Sequence, residues 1–417
     1  MPNKYSVKLK KIVEEMGLTP LHTSSDYEKV CLTTTDVNRP SMQLTGFYSY
    51  FDPERLQVLG RVESTYLDTL SPEERKKSFE EFMQYDIPAL VLCHNIPAMP
   101  ECIEMAEKYG VPKTRCFLDK DEMLKSLPEI DIVSVCTWNS AHAECTIAAL
   151  NAGKNVLCEK PMAMNTKQAE EMLEAAKKNN KLLQIGFVRR YGNDADVMKD
   201  FIDAGYFGDI YYAKATYLRR NGNPGGWFGD KSRSGGGPLI DLGVHVIDLV
   251  RYLCGNPKPV SVYGATFQKL FNRPDIKGGK GYTSVSAGNK DICDVEDLAS
   301  AMIRFDNGLV LSVEASFSLN IKEPKGDIEF FGTKAGAKLS PEVEIFTDEQ
   351  GYLVNVSFDK DTSLSFDGLF AGEINHFVDC SLNNVPCRAP AEDGVELMKI
   401  LDAIYESART GHEVVLK

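Results

Sequence analysis

Between residues 131 and 188 the chain alternates in a way few folds tolerate. IDIVSVCT, NVLCEK and LLQIGFV are short apolar runs, separated by the single helical segments AHAECTIAALNAG and NTKQAEEMLEAAKKNNK. Strands apolar on both faces and joined by single helices predict a parallel sheet covered on both sides. The first helix should end on Gly153, and the second should start from Asn165 as its N-cap. Ligands of such sheets sit beyond the carboxyl ends of the strands. There the sequence places CTWNSAH, with Thr137, Asn139 and His142, and CEKP, with Glu159, Lys160 and Pro161. A solvated strand exit would explain an acid and an amine. The proline argues for a site instead, because it fixes the backbone and restricts Lys160 to extended geometry.

The segments on either side differ. From about 191 the period changes to two: DIYYAKATYLRR, PVSVYGATF, LASAMIRFDNGLVLSVEASFSL and GDIEFFGTKAGAKLS read as strands of an open antiparallel sheet. Asp306-Asn307-Gly308 is a hairpin turn, and AEDGVELMKILDAIYESARTG is a closing helix that ends on Gly411. NRPDIKGGKGYTSVSAGNKD interrupts the sheet as a loop. Before 115, LQVLGRVES and PALVLCHN read as strands. SPEERKKSFEEFMQYD is a helix with Ser71 as N-cap and Pro72 first, and MPECIEMAEKYG is a helix closed by Gly110.

At 417 residues the chain is too long for one ordinary core, and two or three domains are expected. The formal charge of −13 argues against nonspecific nucleic-acid binding, which needs clustered cations. No window approaches the roughly 18 apolar residues of a membrane span. The first 17 residues pattern as an amphipathic helix, not as a secretory signal. The 11 cysteines are scattered without a CxxC pair, which suits small core residues in a reducing cytoplasm. With six histidines and no recurring ligand spacing, no metal is expected. An open sheet face would stay exposed unless covered, so a homo-oligomer, dimer or tetramer, is expected.

A second polar constellation is SGGGPLIDLGVHVIDLVRYL. Gly235 to Gly237 bring backbone close to something, and a helix follows on which Asp241 and His245, four apart, share a face. The pair could be a mutually satisfied buried couple. It could equally be a proton acceptor, since an imidazole near neutrality suits an alcohol, with a carboxylate anchoring a second hydroxyl.

From about Phe117 to Lys417 the chain resembles the Gfo/Idh/MocA family, the glucose–fructose oxidoreductase and inositol dehydrogenase group. The matching stretches are CTWNSAHAECTIAALNAGKNVLCEKPMAMN, LLQIGFVRRY, GGGPLIDLGVHVIDL, DVEDLASAMIRFDNG and DGVELMKILDAIYESARTGHEVVL. The resemblance implies a nicotinamide enzyme, using NAD or NADP, that moves a hydride to or from a sugar, cyclitol or related polyol. It implies Lys160, Asp241 and His245 as catalytic residues, with Lys160 presenting a cation where an alkoxide develops. Thr137, Asn139, His142, Glu159, Lys160 and Arg190 would border the cofactor.

The family's opening strand–GxGxxG–helix unit is missing. The glycines before residue 150 are Gly17, Gly46, Gly60 and Gly110, nowhere clustered. Residues 1 to about 113 instead resemble the N-terminal domain of HPr kinase/phosphorylase. VKLKKIVEEMGL, TTTDVNRPSMQLTGFYSYFDPERLQVLGRVESTYL and LSPEERKKSFEEFMQYDIPALVLCHNIPAMPECIEMAEKYGVP carry that likeness, and no phosphotransfer motif follows. The strand PALVLCHN ends in His94 and Asn95, where NAD-binding relatives place an acid for the ribose.

The expected fold class is therefore an α/β N-terminal region plus an α+β C-terminal domain with a large, open, mostly antiparallel sheet. The N-terminal region would be an HPr kinase N-domain-like α/β block joined to an incomplete Rossmann-type parallel sheet. The expected domains are 1–115, HPr kinase N-terminal-like; 116–190, the remaining half of a dinucleotide-binding domain; and 191–417, for substrate and oligomerisation. An oxidoreductase that keeps its catalytic set is the principal expectation. The alternative is a non-catalytic polyol sensor linked to phosphotransferase regulation.

Overall fold

The computed structural model describes residues 6–15, 30–32, 34, 37–49, 51–85, 87–92, 98–109, 119–270, 273, 276, 281–284, 286–288, 291–366 and 368–416. His94, Asn95, Gly17 and Gly110 lie outside them, as does much of the segment 271–290. The chain divides into two compact units, 1–133 with 152–154, and 134–151 with 155–417. The division falls inside the strand Ile132–Val135, beyond the break expected near residue 115.

In the first unit, the strands Val37–Asn38, Leu56–Leu59 and Leu90–Leu92 form a parallel sheet in that order. Helices Arg61–Asp68, Pro72–Met83 and Pro100–Tyr109 accompany it. Leu44, Leu59, Leu67, Phe79, Phe82 and Met105 are among the residues of its own core. Pro72–Met83 begins as its sequence dictates: Ser71 accepts the Glu74 amide, and the Glu74 carboxylate accepts the Ser71 amide. LQVLGRVES is not one strand. It breaks at Gly60, where the Glu63 carboxylate accepts the Gly60 amide at 2.8 Å and starts a helix. A glutamate three residues past a glycine is a helix-start signal that apolar spacing alone conceals.

In the second unit, Asn155–Glu159 and Leu183–Gly186 pair in parallel; the strand in which the division falls, Ile132–Val135, follows Asn155–Glu159 on its other edge in the sheet order. Helix Asn139–Asn151 leads to Gly153 in the left-handed conformation, and Thr166–Asn179 starts from the Asn165 side chain. The large sheet has nine strands, in the order Tyr352–Val356, Glu344–Glu349, Ala335–Lys338, Lys325–Gly332, Ile210–Leu218, Val310–Ser316, Leu298–Phe305, Pro259–Phe267 and Val414–Val415. All neighbours are antiparallel except Val310–Ser316 with Ile210–Leu218.

The hairpin at Gly308 has the positive φ of 90° its turn requires. One sheet face is buried through Ala213, Ala215, Val262, Ile303, Leu311 and Val313. The other exposes Tyr263, Met302, Phe346 and Leu353. Helix Ala391–Thr410 lies on Pro259–Phe267 so closely that a Cβ at Gly264 would meet Ile404 at 2.8 Å. The same helix reaches the parallel sheet's side, where Asp402 accepts the Thr166 amide at 2.7 Å. Strands Glu344–Glu349 and Tyr352–Val356, and helix Leu369–Asn383, complete the unit.

Candidate active site

Glu159 and Lys160 stand where the apolar run of Asn155–Glu159 ends. Val156, Leu157 and Cys158 are buried, so the strand is fixed from below and its tip cannot drift. The Lys160 ammonium donates to both the carbonyl oxygen and Oδ1 of Asp241, each at 2.9 Å. Their side chains keep 17% and 15% of their surface open. The pair is therefore mostly withdrawn from solvent, and a charge contact there is stronger than in water.

Asp241 is delivered by the triple glycine. Gly235 ends a short helical turn with φ 83°, a left-handed value. At Gly236 a Cβ would lie 2.0 Å from the Tyr405 hydroxyl oxygen, and at Gly237 it would lie 2.1 Å from the Glu296 carbonyl oxygen. What the glycines approach is thus the protein itself. The buried Glu296 carboxylate accepts the Gly237 amide at 2.9 Å, the Leu239 amide at 3.1 Å and the Tyr405 hydroxyl at 2.9 Å. The next turn, Leu239–Gly243, is π-helical and runs into the α-helix Val244–Leu253, so Asp241 and His245 belong to differently wound turns. Such turns are frequent at functional sites.

His245 is half-buried, and burial, with Lys160, Arg189 and Arg219 bringing positive charge, holds its imidazole well below its ordinary pKa. It is neutral at pH 7. Arg189 is itself anchored to Asp194 at 2.6 Å. In the second unit, Lys160 thus bonds to Asp241, and its charge acts on His245.

The other expected residues separate. Thr137 is half-buried at the exit of Ile132–Val135, next to exposed Trp138, over whose ring the Arg233 guanidinium lies at 4.7 Å. Asn139 donates to the Ser234 carbonyl at 2.7 Å and ties this exit to the turn before the triple glycine. His142 is 1% exposed, with Nδ1 2.7 Å from the Pro161 carbonyl oxygen and Nε2 3.1 Å from that of Thr137. It clamps the two strand exits together from beneath. Glu159 is pushed upward in pKa by burial, against the pull of Lys160, and its carboxylate would lie 3.0 Å from a Cβ at Gly186.

Arg190 departs from expectation. It is fully buried: Nε and Nη2 hold Asp248 at 2.9 and 2.6 Å, and Nη1 holds Asp393 at 2.8 Å and the Arg388 carbonyl at 2.6 Å. Every guanidinium nitrogen is used within the protein, because a buried arginine must be paired.

Glu296, which holds the turn that delivers Asp241, is the residue the sequence concealed. It lies 59 positions from Gly237 and carries no local signal. Within the second unit the residues present fit the nicotinamide end of a dinucleotide: hydroxyl, amide, carboxylate and amine at strand tips, with a neutral imidazole nearby. In the first unit, the strand–glycine–helix turn at Gly60 has its helix N-terminus taken by the Glu63 carboxylate, which also holds Arg39 at 2.9 Å. That turn is filled by the protein's own anion and does not fit a pyrophosphate.

Residues 88–187 match the family model described as oxidoreductase family, NAD-binding Rossmann fold. Residues 196–338 match the GFO/IDH/MocA C-terminal domain, and residues 7–129 match the HPr serine kinase N terminus. The chain is 35% identical over 333 residues to the D-glucoside 3-dehydrogenase of Escherichia coli K12, covering 79% of this chain and 91% of that protein. It is 38% identical over 104 residues to the HPr kinase/phosphorylase of Alkaliphilus metalliredigens, covering 25% of this chain and 33% of that protein. The solved apo form of levoglucosan dehydrogenase is similar at TM-score 0.65 and 25% identity, covering 87% of this chain and 98% of the other. The chain belongs to the Gfo/Idh/MocA family and is an NAD(P)-dependent oxidoreductase, with an HPr kinase N-terminal-like segment in its first third.

Proposed function

We propose that the protein oxidises a secondary hydroxyl of a sugar, glycoside or related polyol, or reduces the matching ketone, with Lys160, Asp241 and His245 as the catalytic set. The observation that carries this is the Lys160 ammonium held at 2.9 Å by Asp241, with its charge acting on a neutral His245. The bound nicotinamide would take the hydride from the carbinol carbon. His245 accepts the hydroxyl proton as the C–H bond breaks, and Lys160 stabilises negative charge on the oxygen. Asp241 holds Lys160 in place and can accept a hydrogen bond from a neighbouring hydroxyl. Thr137, Asn139 and Glu159 border the nicotinamide, His142 sets the spacing of the two exits, and Arg190 stabilises the fold behind them.

The likeness to a D-glucoside 3-dehydrogenase favours a pyranoside among polyols. The exposed aromatic and apolar residues of the nine-stranded sheet favour a homo-oligomer. No described helix is long and apolar enough to cross a membrane, and the charge and scattered thiols favour the cytoplasm.

Nicotinamide fluorescence on titration with NADH and NADPH tests the cofactor. Absorbance at the NADH band, with a panel of glucosides, free sugars and inositols, tests the substrate. Binding with turnover on a pyranoside is expected. No binding at millimolar cofactor would overturn the redox proposal, and turnover on inositols alone would overturn the pyranoside.

A further inference from the structure

Away from this site, helix Leu369–Asn383 presents His376 and Cys380 one turn apart, and the chain returns through Cys387 to face them. One ligand atom from each of the three lies within 4.8 Å of the others. Cys380 Sγ is 3.3 Å from His376 Nε2, close to the roughly 3.5 Å edge of a tetrahedron with zinc–sulfur and zinc–nitrogen bonds. Linear spacing did not announce the group, because six residues of return separate the second cysteine from the helical pair.

Two independent observations mark unmet polar capacity beside it. Glu373, one turn before His376 and 2% exposed, has a buried Oε1 with no hydrogen-bond partner. Tyr191, whose ring packs on the His376 ring at 5.6 Å, has a buried hydroxyl without one. Buried groups are normally satisfied, so each such exception asks for an explanation.

We propose that His376, Cys380 and Cys387 bind one zinc ion. Two thiolates and an imidazole are a donor set for zinc. His376 Nε2 now accepts the Arg388 amide hydrogen at 2.8 Å, and the ion takes over that lone pair while each thiol gives up its proton to solvent.

The ion is structural. It fixes the turn after Cys387, where the Ala389 carbonyl accepts the Ile185 amide at 2.9 Å and extends the parallel sheet. Through Leu183–Gly186 this turn backs the strand that carries Glu159.

The full chain, stripped with chelator, is titrated with zinc against a chromophoric competitor and with cobalt(II) by absorption. One equivalent at a Kd of about 1 μM or tighter is expected. Cobalt should give thiolate charge-transfer bands and tetrahedral d–d bands, and zinc should raise the unfolding midpoint. Cys380→Ser and Cys387→Ser should each weaken zinc by about 100-fold or more, with His376→Gln as the variant to use if either serine form folds poorly. Turnover should not depend on zinc. Three results would overturn the site: no binding at about 100 μM zinc, binding unchanged in the double serine variant, or a protein lighter by two hydrogens with the two cysteine peptides cross-linked.

Discussion

The two units each carry a sequence-specific polar cluster at the end of a parallel strand, and they use it in opposite ways. In the first, Asn38 donates to Gln57 at 2.7 Å, while Arg39, Ser41 and the Gly60 amide all bond to Glu63, whose side chain is fully buried. The distinctive motif there is spent on itself. In the second, Lys160 and Asp241 bond to one another but stay partly open beside a neutral imidazole. A specific motif is thus no measure of chemistry. What separates a brace from a site is whether the charged groups keep unspent capacity facing an accessible space.

That contrast can be broken in order of size. His245→Ala should lower turnover by about two to four orders of magnitude with the fold intact, measured by steady-state kinetics and circular dichroism. Arg190→Met should do the reverse. It leaves Asp248 and Asp393 buried without their cation, at a cost of about 3–5 kcal/mol in denaturant unfolding, while cofactor affinity of the folded protein holds. A change in cofactor affinity without a change in stability would return Arg190 to the cofactor site. Lys160→Met should lower turnover by about two to three orders of magnitude. Glu63→Ala should cost about 1–3 kcal/mol and leave the turnover of folded enzyme untouched; a loss of turnover would give the first unit a part in the chemistry.

The smallest expected effect is in pH. The folded pKa of His245 lies below the unfolded one, so as pH falls through about 6.5 the unfolded chain binds a proton the native state refuses. The share of stability that His245 contributes should drop by at most about 1.4 kcal/mol per pH unit below that point, until the folded pKa is reached; the lowered His142 and His376 add to it, and the raised carboxyls of Glu373 and Glu296 oppose it. The difference in stability between the unmodified protein and His245→Gln, followed against pH, should show this share. The acid limb of the oxidation rate should also lie below 6.5 in the unmodified enzyme.

Much of this was legible in the sequence because it is local. Continuous apolar runs gave the parallel strands, Ser71 and Asn165 marked helix starts, and Asp306-Asn307-Gly308 marked a hairpin. Lys160 was legible because an amine after a buried strand is costly unless wanted. What eluded the sequence is long-range. The closest approaches of Gly236 and Gly237 are to Tyr405 and Glu296, and Arg190 reaches Asp248 and Asp393. A partner far along the chain leaves no periodic trace.

By itself the sequence determined which segments become strands and helices and which charged side chains stand at strand ends, because backbone sterics and apolar spacing act over a few residues. Only the tertiary structure decided which of those charges are spent. Pairing depends on what packing brings within about 3 Å, and that separates Arg190, closed in on itself, from Lys160, whose side chain keeps 17% of its surface open.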